Sequence, residues 1–422
     1  MAIKNQKKEL LVFADWQELK KPTLMGTLHV TPSKGTEIFS FEYAKTWLES
    51  GYSQQIDPDL QMYSGQQFAS YEKNNFGVFL DSSPDRWGRV LMKRREAALA
   101  KAENRTANTL LESDFLLGVY DGHRMGALRF KTEMDGPFLD HNAKNPAPQW
   151  ATLRELEHAS LELEKDDIIG DPEYIKWLNM LVSPGGSLGG ARPKASIIDN
   201  DGHLWIAKFP SRNDIKNVGA WEAVAHDLAI KSGINMADIQ VKNFTNKYHT
   251  FLTKRFDRTP KQERIHFASA MTLLGYTDGT DHHAGVSYIE LAEFITQNGA
   301  NVNEDLLQLW KRIVFSICIT NTDDHLRNHG FLLTETGWIL SPAYDINPIE
   351  DGTGLTLNIS EDDNSLDVNL ALSVAPYFRI EEVLAKQIIK EIQNVVSTWK
   401  DVAKKYNISN GEQEAMSSAF RI

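Results

Sequence analysis

Between Ile317 and Asp345 the chain reads ICITNTDDHLRNHGFLLTETGWILSPAYD, and the rest of the sequence has to be folded around this stretch. The preceding segment Asp305–Thr320 is apolar nearly all round, with Leu306, Leu309, Trp310, Ile313, Val314 and Ile317. It predicts a buried helix that holds the following polar loop rigidly. After the loop, Phe331–Leu333 and Trp338–Leu340 flank a Thr-Glu-Thr-Gly turn, the pattern of a short hairpin. A hairpin returns the chain and brings Asp345 beside the loop.

The loop has a spacing with chemical meaning. Asp323 is followed five positions later by Asn328 in D-D-H-L-R-N, the register of the D-x-x-x-x-N catalytic loop of protein kinases. There the aspartate takes or orients the proton of an attacking hydroxyl, and the asparagine reaches back to a magnesium ion. Mg2+ favours hard oxygen ligands and keeps substrate phosphates in its shell, so Asn328 and Asp345 suffice from the protein. Taken singly, Asp and Asn are also ordinary turn and cap residues.

Upstream, SPGGSLGGARPKASIIDNDGHLWIAKFP carries four glycines, a strand at Lys194–Ile198, an Asn-Asp-Gly turn and a strand at His203–Phe209. Glycine lets backbone N–H groups turn toward an anion with no Cβ in the way. The loop is neither G-x-x-x-x-G-K-[ST] nor G-x-G-x-x-G, and a flexible turn explains it equally well. Lys208 stands in I-A-K on the strand after the glycines, as the phosphate-pairing lysine does in V-A-I-K. Fourteen residues on, the amphipathic helix AWEAVAHDLAIKSG carries Glu222, a candidate partner for orienting Lys208. Strands over 239–256 complete a small sheet, and Phe256 is placed to pack near an adenine.

The N-terminal part reads as strands ELLVFADW, LMGTLHV and EIFSFEY, then a basic helix from about Arg86 after Ser-Ser-Pro-Asp. Its Arg86, Arg89, Lys93, Arg94 and Arg95 read as a solvated face. A Pro-, Asn- and Asp-rich stretch from Met134 to Trp150 marks a linker. The expected division is 1–135, an α/β module; 150–257, a lobe with the glycine loop; and 258–422, mainly helical. It ends in the long helical run RIEEVLAKQIIKEIQNVVSTWKDVAKKY, with Leu384, Ile388, Ile392, Val395 and Trp399 as its core stripe.

A length of 422 residues points to two or three domains, and a net charge of −12 argues against a large nucleic-acid footprint. One cysteine, Cys318, excludes intramolecular disulfides and a Cys-rich metal site. No signal peptide and no bilayer-spanning apolar run is evident, so a cytoplasmic location without membrane attachment is expected.

The order of these parts resembles the HipA-like serine/threonine kinases, whose best-known members are toxins of bacterial toxin–antitoxin pairs. The resemblance rests on seven motifs: P-D-R-W-G-R at Pro84–Arg89, S-L-G-G-A-R-P-K at Ser187–Lys194, I-A-K ending at Lys208, R-F-D-R at Arg255–Arg258, R-I-H at Arg264–His266, T-D-D-H-L-R-N at Thr322–Asn328 and P-A-Y-D at Pro342–Asp345. It implies an α+β, two-lobed protein-kinase-like fold. A small antiparallel-sheet lobe, preceded by an extra α/β module, leads into an all-helical C-lobe. It further implies Asp323 as catalytic base, Lys208 on the ATP phosphates, and Asn328 and Asp345 on Mg2+. Gly189, Gly190, Glu222, Phe256, Asp257 and His325 fall on the nucleotide-binding side, and Ser187, with Ser183 close by, is the site of inactivating autophosphorylation. The implied partners are a protein substrate, an aminoacyl-tRNA synthetase in known cases, and a small DNA-binding antitoxin through which DNA is mainly contacted.

Three positions depart from the pattern. The loop reads G-G-A-R-P-K where the better-known toxin has Gln-Glu before the lysine, Lys254 replaces an acidic residue, and Asp324 stands where many relatives have glycine. Two rival readings remain: a nucleotide-binding co-repressor without catalysis, and a metal-dependent hydrolase using Asp323, Asp324, His325 and His329.

Overall fold

The computed structural model describes residues 7–52, 54–140, 150–165, 173–182, 192–244 and 247–422. By contact density the chain forms two compact units: Met1–Arg212 with Asp257–Ala268, and Asn213–Phe256 with Ser269–Ile422. Among the described residues no helix is long and apolar enough to cross a membrane.

The first unit opens on a five-stranded sheet in the order Gln67–Phe68, Thr36–Tyr43, Thr23–Ser33, Lys8–Ala14, Leu128–Lys131. Alternation along the strands sends Leu10, Val12, Leu28, Phe41 and Phe130 inward. Phe79 packs between Phe41 and Phe130 with ring centroids 5.8 and 5.9 Å away. The expected basic helix runs Arg86–Ala102 and is capped by Asp85, whose side chain accepts from the Gly88 N–H at 2.8 Å. The solvated-face expectation for its arginines is corrected in part. Arg89 makes a two-pronged bond to Glu112 and covers the Phe115 ring at 4.6 Å, and Arg94 donates to the Leu163 carbonyl. Those side chains join helices of the same compact unit.

The Lys194–Ile198 and Leu204–Lys208 strands form the expected antiparallel hairpin, with Lys194 opposite Lys208. Two lysines facing one another across a hairpin repel. Asp85 offsets this, because its carboxylate lies 3.0 Å from the Lys194 ammonium with both side chains almost fully buried. The helix cap thus doubles as counter-ion to the strand lysine.

The second unit is mainly helical. Helix Val218–Lys231 is buried on most sides and packs against Trp399–Lys405, while Trp221 Nε1 donates to Glu412 at 2.8 Å. The expected long C-terminal helix is two helices, Glu382–Val396 and Trp399–Lys405. Ser397 and Thr398 break it, since their hydroxyls fold back on the carbonyls of Asn394 and Val395. The core stripe also shifts: Ala385, Ile388, Ile389, Ile392 and Val396 face inward, and Leu384 is exposed. Leu384 sits about 100° round the helix from Ala385, off the packed face.

Helix Val302–Cys318 is buried as predicted, with Trp310 Nε1 donating to the Ala371 carbonyl. The hairpin Gly330–Thr334 and Gly337–Leu340 closes on the Thr-Glu-Thr-Gly turn with Phe331 opposite Leu340. Gly337, at φ +145°, allows that turn where its missing Cβ would meet the Asn298 carbonyl at 2.6 Å.

Candidate functional site

The polar loop is fastened at both ends. Where the buried helix stops, Thr320 takes φ +53° and its hydroxyl donates to the Ala419 carbonyl, while the Asn321 N–H and amide return to Ser316. Beyond the exposed Asp323 the chain makes a one-turn 3-10 helix at Leu326–Asn328. Asn328 closes this turn by donating its Nδ2 to the Asp323 carbonyl at 2.8 Å.

The hairpin then delivers the P-A-Y-D segment to the loop. Tyr344 donates its hydroxyl to the Arg327 carbonyl at 2.7 Å, and the Asn347 N–H donates to Asn321 Oδ1 at 3.1 Å. Asp345 lies between these two fastenings at φ +58°, a left-handed conformation uncommon for a residue with a Cβ. Asn347 Nδ2 holds its carboxylate from 3.3 Å. Asp323, Asn328 and Asp345 therefore belong to two segments bound directly to each other.

Asp324, adjacent to the exposed Asp323, points the other way. It is buried, accepts the Tyr288 hydroxyl at 2.5 Å and lies 3.2 Å from His329 Nε2. Burial pushes its carboxyl up, but His329, the Tyr288 hydroxyl and the charge of His325 together outweigh this and leave it below the ordinary value. The same burial and the Asp324 carboxylate drive the Tyr288 phenol far up. Arg312 is also buried; desolvation lowers it to about 10 while Asp324 attracts its charge, and its guanidinium donates to the Ser341 carbonyl. Asp324 thus pins the loop to the helices behind it.

The donor set suits a hard cation. Asn328 Oδ1 is buried and accepts no hydrogen bond among the described residues, although the same amide's nitrogen is fixed. With Asp345 on the neighbouring segment, it presents the oxygen chemistry that Mg2+ prefers. The hydrolase cluster does not form: among the described residues, groups of His and Asp whose ligand atoms converge are Asp281, His282, His283 and Asp199, Asp201, His203. Asp324 and His329 are turned inward, away from any such cluster.

The remaining expected residues lie as follows. Lys208 ends its strand in the first unit, part-exposed; Glu222 is buried in the Val218–Lys231 helix of the second. Phe256 packs on Tyr344 with centroids 5.5 Å apart. Asp257 is fully buried, accepts the Gly126 N–H at 2.8 Å and pairs with Arg258 at 2.6 Å. His325 is part-exposed beside Asp324, its Nδ1 shielded and without a hydrogen bond among the described residues. Ser183, Ser187, Gly189 and Gly190 lie outside the described residues. Sequence reasoning missed Tyr288 and Asn347. The first stands at a helix start whose Ser287 and Glu290 read only as a capping box, and the second was hinted at only by its place two residues after Asp345.

The HipA-like C-terminal domain family matches residues 186–399, just over half of the 422-residue chain. The chain belongs to this family. The motif-based resemblance to HipA is thereby borne out. Among individual HipA-type relatives, the serine/threonine-protein kinase toxin HipA of Shewanella oneidensis is 24% identical over 344 residues, covering 74% of this chain and 71% of that protein. A Haemophilus influenzae protein provisionally named a kinase is 26% identical over 179 residues, 38% of this chain, and the match spans about half of that relative's length, 52%. In three dimensions the chain is similar to Shewanella oneidensis HipA, solved in a complex with HipB and operator DNA. The TM-score is 0.62 at 16% identity over 97% of this chain and 94% of that one, which shows a shared HipA fold.

Proposed function

We propose that the chain is an ATP- and Mg2+-dependent kinase that phosphorylates Ser or Thr of a protein substrate. The observation that carries this reading is Asn328, whose nitrogen is locked on the Asp323 carbonyl while its buried oxygen accepts no hydrogen bond among the described residues. Asp323, exposed at the loop tip, takes the proton of the acceptor hydroxyl. Asn328 and Asp345 would hold Mg2+, which supplies charge neutralisation on the phosphates when bound. Lys208 takes the ATP-phosphate role by its place in the motif order, with Glu222, Phe256, Asp257, His325, Gly189 and Gly190 on the nucleotide side. We keep the division at 1–135, 150–257 and 258–422 as part of this reading.

Ser187 is proposed as an autophosphorylation site, since a dianion on that loop repels nucleotide phosphates. A small DNA-binding antitoxin is the proposed partner; the net charge of −12 agrees with DNA being contacted mainly through it. Incubation with γ-labelled ATP and lysate of the source organism tests the reading. Wild type should label a protein band and Asp323→Asn should not, with melting behaviour retained. Undiminished labelling by the variant would remove Asp323 from its role. Mass spectrometry of peptide 182–192 from active protein tests Ser187 by the presence or absence of phosphate.

A further inference from the structure

Outside the kinase loop, the turn Asp281–His282–His283 places a carboxylate oxygen and two imidazole nitrogens within 4.8 Å of one another. The turn is rigid by construction. Asp281 caps a one-turn 3-10 helix by accepting the His283 N–H at 2.9 Å, and Gly285 ends it at φ +81°. The His282 backbone is held on both sides, its N–H on the Thr356 carbonyl at 2.8 Å and its carbonyl by Asn358 Nδ2 at 3.1 Å. The two rings face each other with centroids 4.0 Å apart, although both residues reach solvent.

Two details separate this turn from ordinary polar surface. His282 Nδ1 is shielded from water and finds no hydrogen-bond partner among the described residues, a cost that a ligand would relieve. The other His-containing cluster shows the contrast. Asp199 already accepts from the N–H groups of Asp201 and His203 and from Trp205 Nε1, so its oxygens are engaged in holding the hairpin turn. For Asp281 the cap to His283 engages one oxygen, Oδ1.

We infer that Asp281, His282 and His283 form a site for one transition-metal dication of the Zn2+ class, separate from the Mg2+ position. Two neutral imidazoles and one carboxylate are a ligand set that borderline dications take and that Mg2+ does not favour. Water fills the remaining positions. The inference stands independently of phosphoryl transfer, because it rests on the turn alone.

The test is titration of tag-free, chelator-treated full-length protein with Zn2+ by calorimetry, and with Co2+ by its visible ligand-field bands. Wild type should bind one equivalent of each. His282→Gln, His283→Gln and Asp281→Asn should each weaken binding by at least about tenfold, while His203→Gln should not. Asp281→Asn retains the helix cap, so its loss of affinity is not a loss of fold, and an unchanged melting profile checks this. Binding that is absent in wild type, or that survives both histidine changes, or that follows His203 instead, overturns the assignment.

Discussion

Changing Tyr288 to Phe removes one hydroxyl from a buried carboxylate, and the structure fixes the size of the consequence. Both oxygens of Asp324 are engaged, Oδ2 by the Tyr288 hydroxyl at 2.5 Å and Oδ1 by His329 Nε2 at 3.2 Å, and the residue is only 5% exposed. Phenylalanine fills the same space, so no cavity term arises; what is lost is a charge-assisted bond, and Oδ2 is left without water. That loss is worth about 2–3 kcal/mol. For a unit of about 200 residues it lowers the melting midpoint by about 5–10 °C. The pH dependence follows from the sign of the Asp324 shift. Its folded-state pKa is depressed, so the stabilisation is fully present above the unfolded value near about 4 and fades as pH falls through the folded value. The Tyr288→Phe deficit should therefore be full at neutral pH and shrink in acid. A double-mutant cycle with Asp324→Asn, read by thermal melts, isolates the pair. A deficit below about 0.5 kcal/mol, or simple additivity of the two changes, refutes the bracing role.

Other outcomes can be measured on the same material. Asp85→Asn keeps the cap on Gly88 but takes the carboxylate from the buried Lys194 ammonium; we expect a loss of about 3 kcal/mol in denaturant unfolding. Phe420→Ala removes a ring stacked 4.3 Å from Trp399 and should cost about 3–5 kcal/mol, again read by denaturation. Burial raises Asp305 to about 6, so its contribution is fully present below the unfolded value near about 4 and is lost as pH rises through 6. Asp305→Asn keeps an acceptor for the Leu340 N–H and should flatten that slope in melting profiles; an unchanged slope counts against it.

What could be read from the chain was periodic or local. The helix Val302–Cys318, the Thr-Glu-Thr-Gly hairpin and the lysine strand follow from apolar spacing and turn chemistry. The misreadings share a cause. The break at Ser397 depends on hydroxyls choosing carbonyls over the helix, and Leu384 faces solvent because the packed face is set by its neighbours. The basic face on Arg86–Ala102 depends on Glu112 and Leu163, residues distant in sequence. Asp324 is the sharpest case, since beside Asp323 its sequence position leaves its role open between the rival metal cluster and a bare departure from the family pattern. Only the approach of Tyr288, 36 positions away, shows it to be an anchor.

The division of labour between these adjacent aspartates explains why the loop can be both exposed and rigid. A base in the role proposed for Asp323 needs fixed orientation, and here the backbone around Asp323 is held by Asn328 on its own carbonyl and by Thr356 on that of Thr322. Buried acceptors that make no bond cost about 1–3 kcal/mol each. Asn328 Oδ1 and Asn347 Oδ1 are both of this kind among the described residues, one on the polar loop and one two residues beyond Asp345. On the proposed reading a cation held by Asn328 and Asp345 would engage the Asn328 oxygen, so Asn328→Ala should raise the Mg2+ concentration needed for half-maximal phosphoryl transfer, and an unchanged Mg2+ requirement would count against that ligand.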